Sequence, residues 1–263
     1  MDSISTQLNT IQAQVKTFFA AKFSLDGVKS LIEVADNVKL LNARLKLATE
    51  SEQEFNKAQA ELFRISQETS TSLDANAGLF SKLNRSIKDL GGTEEHTLSL
   101  TDLVAKSIKL SGSNASESSA LIRQLSQALG SGVLRGDEFN SVMENGSRLA
   151  IALADGLGVS IGQLREMAEA GELTAATVIN ALQSQKDALD REFAELPVTV
   201  GGAIQQLTNK FQQYIGNADA GSHATERLSG LIQSAATHFN TIADTVITTG
   251  EVIALTYGRS AVI

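Results

Sequence analysis

The sequence predicts an all-α protein in which long amphipathic, coiled-coil-like helices flank a compact module of short helices. Three observations predict it. Alanine, leucine, serine and glutamine abound, aromatics make up only 5% and tryptophan is absent, a mixture that favours helix over sheet. The only proline is Pro197, so nothing upstream forces a helix to break. Apolar residues recur in steps of three and four almost throughout. The exception is the stretch from Leu121 to Leu182, which holds eight of the 20 glycines.

Residues 1–110 read as elongated amphipathic helices. Ile4, Leu8, Ile11, Val15, Phe18 and Phe19 keep helical spacing, and a break is expected near Ser24–Gly27. Leu31, Val34, Val38, Leu41, Leu45 and Ala48 then form a heptad seam. It falters at Glu52. Phe55, Ala58, Leu62 and Ile65 resume the spacing, and Leu79, Leu83, Ile87 and Leu90 carry it to Gly91-Gly92. A narrow apolar stripe on an isolated rod is not buried by that rod, so it needs a folded-back hairpin, a second copy or a partner. The seam at Leu31, Val34, Val38, Leu41 and Leu45 is therefore a candidate interaction surface, and self-association is the expectation.

The polar stretch "LSGSNASESS" reads as a linker over residues 111–118, followed by a compact module over 119–197. Its glycines act as punctuation. A helix from about Glu117 to Leu129 stops at Gly130, and "GSGVLRG" makes a tight turn ending at Gly136. Asp137 is the expected N-cap of a short helix carrying Phe139, Val142 and Met143. Ser147 caps the next, with Leu149, Ala150, Leu153, Ala154 and Leu157 inward. Gly158 suits a left-handed cap, Ser160 with Gln163 matches a capping box, and Gly171 stops that helix. Thr174 starts a longer helix through Val178, Ile179, Leu182 and Leu189 that ends before Pro197. Helices of two or three turns are unstable alone, so these must pack on one another.

Residues 198–263 read as amphipathic helices, one through Ile204, Leu207, Phe211, Tyr214 and Ile215 and another through Leu228, Leu231, Ala235, Phe239, Ile242 and Val246. The apolar end "GEVIALTYGRSAVI" lacks a cap or polar tail, which reads as truncation of a longer chain.

Charge and motifs exclude several functions. Residues 111–200 carry 6 Lys/Arg against 12 Asp/Glu and so hold −6 of the net −8, which opposes direct nucleic-acid binding. Without cysteine there is no disulfide or thiolate metal site. The N-terminus has no secretory pattern. "GSGVLRG" lacks the Gly-Lys-Ser/Thr ending of a phosphate loop and is read as a helix–helix turn. Asp137, Glu138 and Glu144 have no histidine beside them and suit helix ends better than a metal. His96, His223 and His238 are scattered, the first two in polar loops, with no ligand neighbour four residues away. No catalytic, cofactor or metal site is expected. Asp244 and Glu251 interrupt the apolar run from Ile242 to Tyr257, which falls short of about 18–20 uncharged residues needed to span a bilayer.

In this module the residues "LRGDEFNSVMEN", "LADGLGVS", "LREMAEAGELTA" and "LPVTVGGAIQQL" occur in succession. Over about Leu121 to Tyr214 the sequence resembles the N-terminal domain of phage tail tape measure proteins. One departure is Gly146-Ser147, where relatives often carry Ala-Pro. The resemblance implies a structural protein of a phage or prophage tail, here a fragment or truncated member. It implies a tail-length ruler and assembly scaffold lying in the tail tube of the virion, after passage through the host cytoplasm. Its implied partners are the tail tube protein, tail assembly chaperones and tail tip proteins. The alternative is a membrane-active helical protein, a pore former or DNA-entry channel component, with residues 242–263 touching the membrane. A peptidoglycan hydrolase, a module some tape measure proteins carry, has no support in these residues.

Overall fold

The computed structural model describes residues 25–217, Leu90 and Val198 apart. The helices anticipated over residues 1–24 and 228–246, together with His223, His238 and the apolar run 242–263, lie outside the described residues. Eleven α-helices are found among the described residues: α1 (Leu25–Ala48), α2 (Glu52–Thr69), α3 (Leu73–Asp89), α4 (Glu94–Leu110), α5 (Ala115–Ser131), α6 (Gly136–Asn145), α7 (Ser147–Leu157), α8 (Ile161–Ala170), α9 (Ala175–Ser184), α10 (Lys186–Ala194) and α11 (Val200–Asn217). Gly27, in the expected break, lies within α1. Residues 39–211 form one compact unit.

Helices α3 and α4 organise the compact unit because both are buried on two sides. Leu79, Leu83 and Ile87 of α3, with Leu100, Leu103, Val104 and Ile108 of α4, join a large core with Leu121, Leu125, Phe139, Leu149, Leu153, Leu164, Val178 and Leu182. Their other faces, Leu73, Ala77 and Phe80 of α3 and Leu98 of α4, close a second core with Leu41, Leu45, Phe55, Ala58 and Leu62. The regular apolar spacing that marks the helices before it stops at Gly91-Gly92, short of α4. Its apolar residues run all round it, the pattern of a helix buried on every side. Polar residues among them find partners close by: Thr101 and Ser107 donate to the carbonyl four residues back, at 2.8 and 2.7 Å, and Thr97 donates to Asn84 Oδ1 of α3 at 2.9 Å.

Two expectations are corrected by this packing. The segment 111–118 does not separate domains. Asn114 caps α5 with a capping box to Glu117, Ser113 donates to the Asn145 carbonyl at 2.6 Å, and the large core runs across it. The C-terminal part of the heptad seam, from Val38 to Leu45, is not an open surface either. Leu41 and Leu45 are buried by α2 and α3, which fold back on the end of α1. Val38 is buried as well, and Val34 is half-buried.

Candidate functional site

In the module the short helices are held by caps and by one strand-like contact. Gly158 (φ 68) ends α7 and Gly171 (φ 74) ends α8, both in the left-handed region. Ser160 forms a reciprocal capping box with Gln163, and the Thr174 hydroxyl accepts from Thr177 N. No atom lies within 4 Å of a Cβ built at Gly158 or Gly171, so only backbone conformation opposes a side chain there. Each Gly→Ala variant is expected to lose about 1 kcal/mol in urea unfolding; unchanged stability would contradict the capping role.

Three predicted positions fall elsewhere. Gly130 lies inside α5, and the residue in the capping position is Gly132 at φ 94. Asp137 sits in the first turn of α6 after Gly136 (φ 60), with Arg135 in the cap position and no side-chain cap bond. Ser147 is the first residue of α7, and Gly146 precedes it as the cap. A Cβ at Gly146 would approach Leu121 Cδ2 to 2.8 Å, so glycine lets α6 pass directly into α7. The helix ends before Pro197, as expected, but the long helix expected from Thr174 is divided at Gln185 into α9 and α10. A feature missed in the sequence is the antiparallel bridge between Val133 and Thr174. There Leu134 N donates to the Leu173 carbonyl and Ala175 N to the Gly132 carbonyl, both at 2.8 Å.

Charged clamps fix α10. Lys106 of α4, mostly buried, reaches Asp102 at 2.7 Å and Asp190 of α10 at 2.6 Å, with its ammonium 5.7 Å from the Phe193 ring. Burial pulls the Lys106 ammonium down, but the two carboxylates outweigh it and hold its pKa above the ordinary value. Burial raises Asp190, yet hydrogen bonds from Lys106 and Lys186 leave it below the usual range. Arg148 of α7 grips Glu192 with two hydrogen bonds of 2.6 and 2.8 Å, a fork geometry a lysine does not offer.

A polar anchor ties α11 to the α2–α3 turn. The Asn209 amide, fully buried, donates to the Ser66 and Thr71 carbonyls at 3.1 and 2.8 Å and accepts from Leu73 N at 3.3 Å. Gln67 and Gln206 each donate to the other's carbonyl at 2.9 Å. Ser70 in this turn has φ 54, and Gly202 leaves room for it: a Cβ there would lie 2.9 Å from Ser70 Oγ. The apolar residues Ile204, Leu207 and Phe211 stay half-buried, so hydrogen bonds carry much of the docking.

A polar cavity of about 580 Å³ opens where α2 meets the ends of α3 and α4, lined by Glu50, Glu54, Lys57, Lys88, Glu94 and Glu95 among others. His96, expected in a loop, lies in the first turn of α4. Its Nδ1 accepts from Thr93 N at 3.1 Å while the Thr93 hydroxyl accepts from His96 N, so these two residues cap α4. Glu94 is only 4% exposed and neither carboxyl oxygen has a hydrogen-bond partner. Burial first, and the Glu54 charge second, push its pKa to about 7 from an ordinary 4.5. A raised carboxylate holds its proton more tightly in the folded state. Its stabilisation is complete below pH 4.5 and is lost as pH rises towards 7. Stability is expected to fall by about 2–3 kcal/mol between pH 4.5 and 8, and Glu94→Gln should remove most of that slope. A wild-type profile flat over this range would contradict the assignment.

Among the described residues no group of three His, Asp or Glu side chains is arranged to hold a metal ion. No described helix is long and apolar enough to cross a membrane. No curated protein and no solved structure matches the chain. The tape measure protein family matches residues 29–220, which takes in all of the compact unit and most of the chain. The match and the all-helical architecture agree, and the chain belongs to the tape measure protein family, a family of phage tail structural proteins.

Proposed function

We propose that the chain acts as a tail-length ruler and assembly scaffold inside the tail tube, reached from the host cytoplasm during assembly. The observation that carries this reading is the family match over residues 29–220. The fold supports it physically. Helices convert residue count into length at about 1.5 Å per residue, and a compact unit clamped by buried ion pairs and polar anchors gives assembly proteins a fixed shape to grip. Tail tube protein, tail assembly chaperones and tail tip proteins are the partners this role calls for. The compact unit offers such partners an acidic surface, with Asp137, Glu144, Glu166, Glu169 and Glu172 exposed on or beside α6 and α8.

A change of length in the gene tests the ruler. About 35 helix-forming residues inserted after Asn217 should lengthen assembled tails by about 50 Å in electron micrographs. Tails of unchanged length would count against a ruler, and loss of all tails would leave only the scaffold role.

A further inference from the structure

Helix α10 is held by charge more than by burial. Of its nine residues only Leu189 is fully buried; Ala188 and Phe193 are half-buried, and Ala194 is exposed. The preceding helix, α9, buries Val178, Ile179, Ala181 and Leu182. The α10 segment supplies little support of its own. About two and a half turns are unstable alone. Gln185 gives no side-chain cap bond, and in the Lys186–Asp190 pair the cation comes first, the weaker order. Beyond the helix Glu195, Leu196 and Pro197 are exposed. What remains is the pair of clamps, Asp190 on Lys106 and Glu192 on Arg148, with the Phe193 ring beside the Lys106 ammonium.

Both clamps are built so that they can open. Breaking a buried ion pair is costly when it strands one charge. Here each charge has a second partner on its own side of the contact. Lys106 keeps Asp102, 2.7 Å away on α4, and Asp190 keeps Lys186 on α10. Arg148 keeps the attraction of Asp155, about two turns along α7, and Glu192 that of Arg191 beside it. The Glu192 side chain is 44% exposed, so water readily takes the place of Arg148 around it. The flanking helices are anchored independently. α9 lies against α7 at the close approach of Ala181 to Gly156, and α11 is tied down by Asn209. Residues 185–199 therefore run between two fixed points that do not need α10 in place.

We propose that α10 is a releasable strap, which undocks from α4 and α7 as one piece by exchanging ion-pair partners while α9 and α11 stay anchored. Opening bares Lys106, Arg148 and the seat of Leu189 to water. It leaves no buried charge alone, so the strap closes again without any refolding of its neighbours. Residues 185–199 become the joint at which the compact unit yields first, before α2 to α4 or the glycine-punctuated module opens.

Hydrogen exchange of the full chain at pH 7 without denaturant tests this. Amides 189–194 should exchange as one group, about 100-fold faster than the slowest amides of α4, α7 and α9 once intrinsic rates are removed. The double variant Asp190→Asn, Glu192→Gln should speed that group about tenfold more and leave α4, α7 and α9 unchanged. Glu166→Gln with Glu169→Gln, the same change of charge on α8, should leave α10 unchanged. Asp102→Asn should act in the opposite direction. Without Asp102, opening strands Lys106, so exchange of 189–194 should slow about tenfold, where a simple supporting role for Asp102 would speed it. Should the Asp102→Asn chain fail to fold, the double variant and its control decide. Three results would overturn the proposal: exchange of 189–194 only together with α4, α7 and α9; no acceleration, or an equal one in every helix, in the double variant; or faster α10 exchange in a folded Asp102→Asn chain.

Discussion

Replacing Gly156 with alanine is expected to destabilise the compact unit by about 3 kcal/mol, although alanine is the better helix former. Gly156 lies in the last turn of α7, where propensity alone would favour alanine by about 1 kcal/mol. Against that gain stands a backbone collision. A Cβ at this position would lie 2.2 Å from the Ala181 carbonyl oxygen and 2.8 Å from Ala181 Cα in α9. Backbone does not swing aside as a flexible side chain does, so α7 and α9 must separate. That separation opens the core where Leu153, Ala154, Val178 and Leu182 meet. Overpacking a tight core costs about 1–3 kcal/mol even when side chains adjust, and here they offer no relief. Urea unfolding measures it, and a stability equal to or above wild type would show that the two helices are not in close contact.

The second large effect is expected at Asn209. Substitution by leucine keeps the bulk but removes all three hydrogen bonds to the α2–α3 turn, leaving the Ser66 and Thr71 carbonyls and Leu73 N buried without it. Thr71 N still donates to the Ser66 carbonyl, but that leaves the acceptor side of the turn incomplete. Unsatisfied buried groups cost about 1–3 kcal/mol each, so a total loss of about 3 kcal/mol is expected even after water enters. Because the apolar side of α11 is only half-buried, the reciprocal Gln67–Gln206 pair is the main polar contact left to hold it. Hydrogen exchange should accelerate in residues 200–211 while amides in α5 to α9 keep their protection. Unaltered exchange over 200–211 would show that apolar contacts, and not the asparagine, dock the helix.

Local features of the fold were legible where the physics is local. Gly158, Ser160, Gly171 and Thr174 announce their helix ends through residue type alone, and each occupies the corresponding end in the structure. Gly130 and Gly132 are two residues apart, and which one takes the left-handed conformation depends on the Leu134–Leu173 and Ala175–Gly132 hydrogen bonds, a contact between distant residues. The reading of 111–118 as a linker failed for a similar reason. Its polar residues find partners at Asn145 and Glu117, and the core that spans it depends on α3 and α4 being apolar on two faces. Periodicity reports that a helix has an apolar face. It does not report which neighbour covers that face, and so Leu41 and Leu45 read as an open seam when α2 and α3 cover them. Glu94 was hidden for the opposite reason, since an acid in a first helical turn is ordinary until its environment is known.

The claim on which the rest depends is that α2 to α4 and the glycine-punctuated module are one folding unit joined across residues 111–118. Native-state hydrogen exchange of the full chain under increasing urea tests it most directly. The slowest amides of α2, α3 and α4, around Leu62, Leu83 and Val104, should converge with those of α5, α7 and α9, around Leu125, Leu153 and Ile179, on one opening free energy. Two separate free energies, with α2 to α4 opening while the module stays closed, would contradict it and restore a domain boundary at residues 111–118.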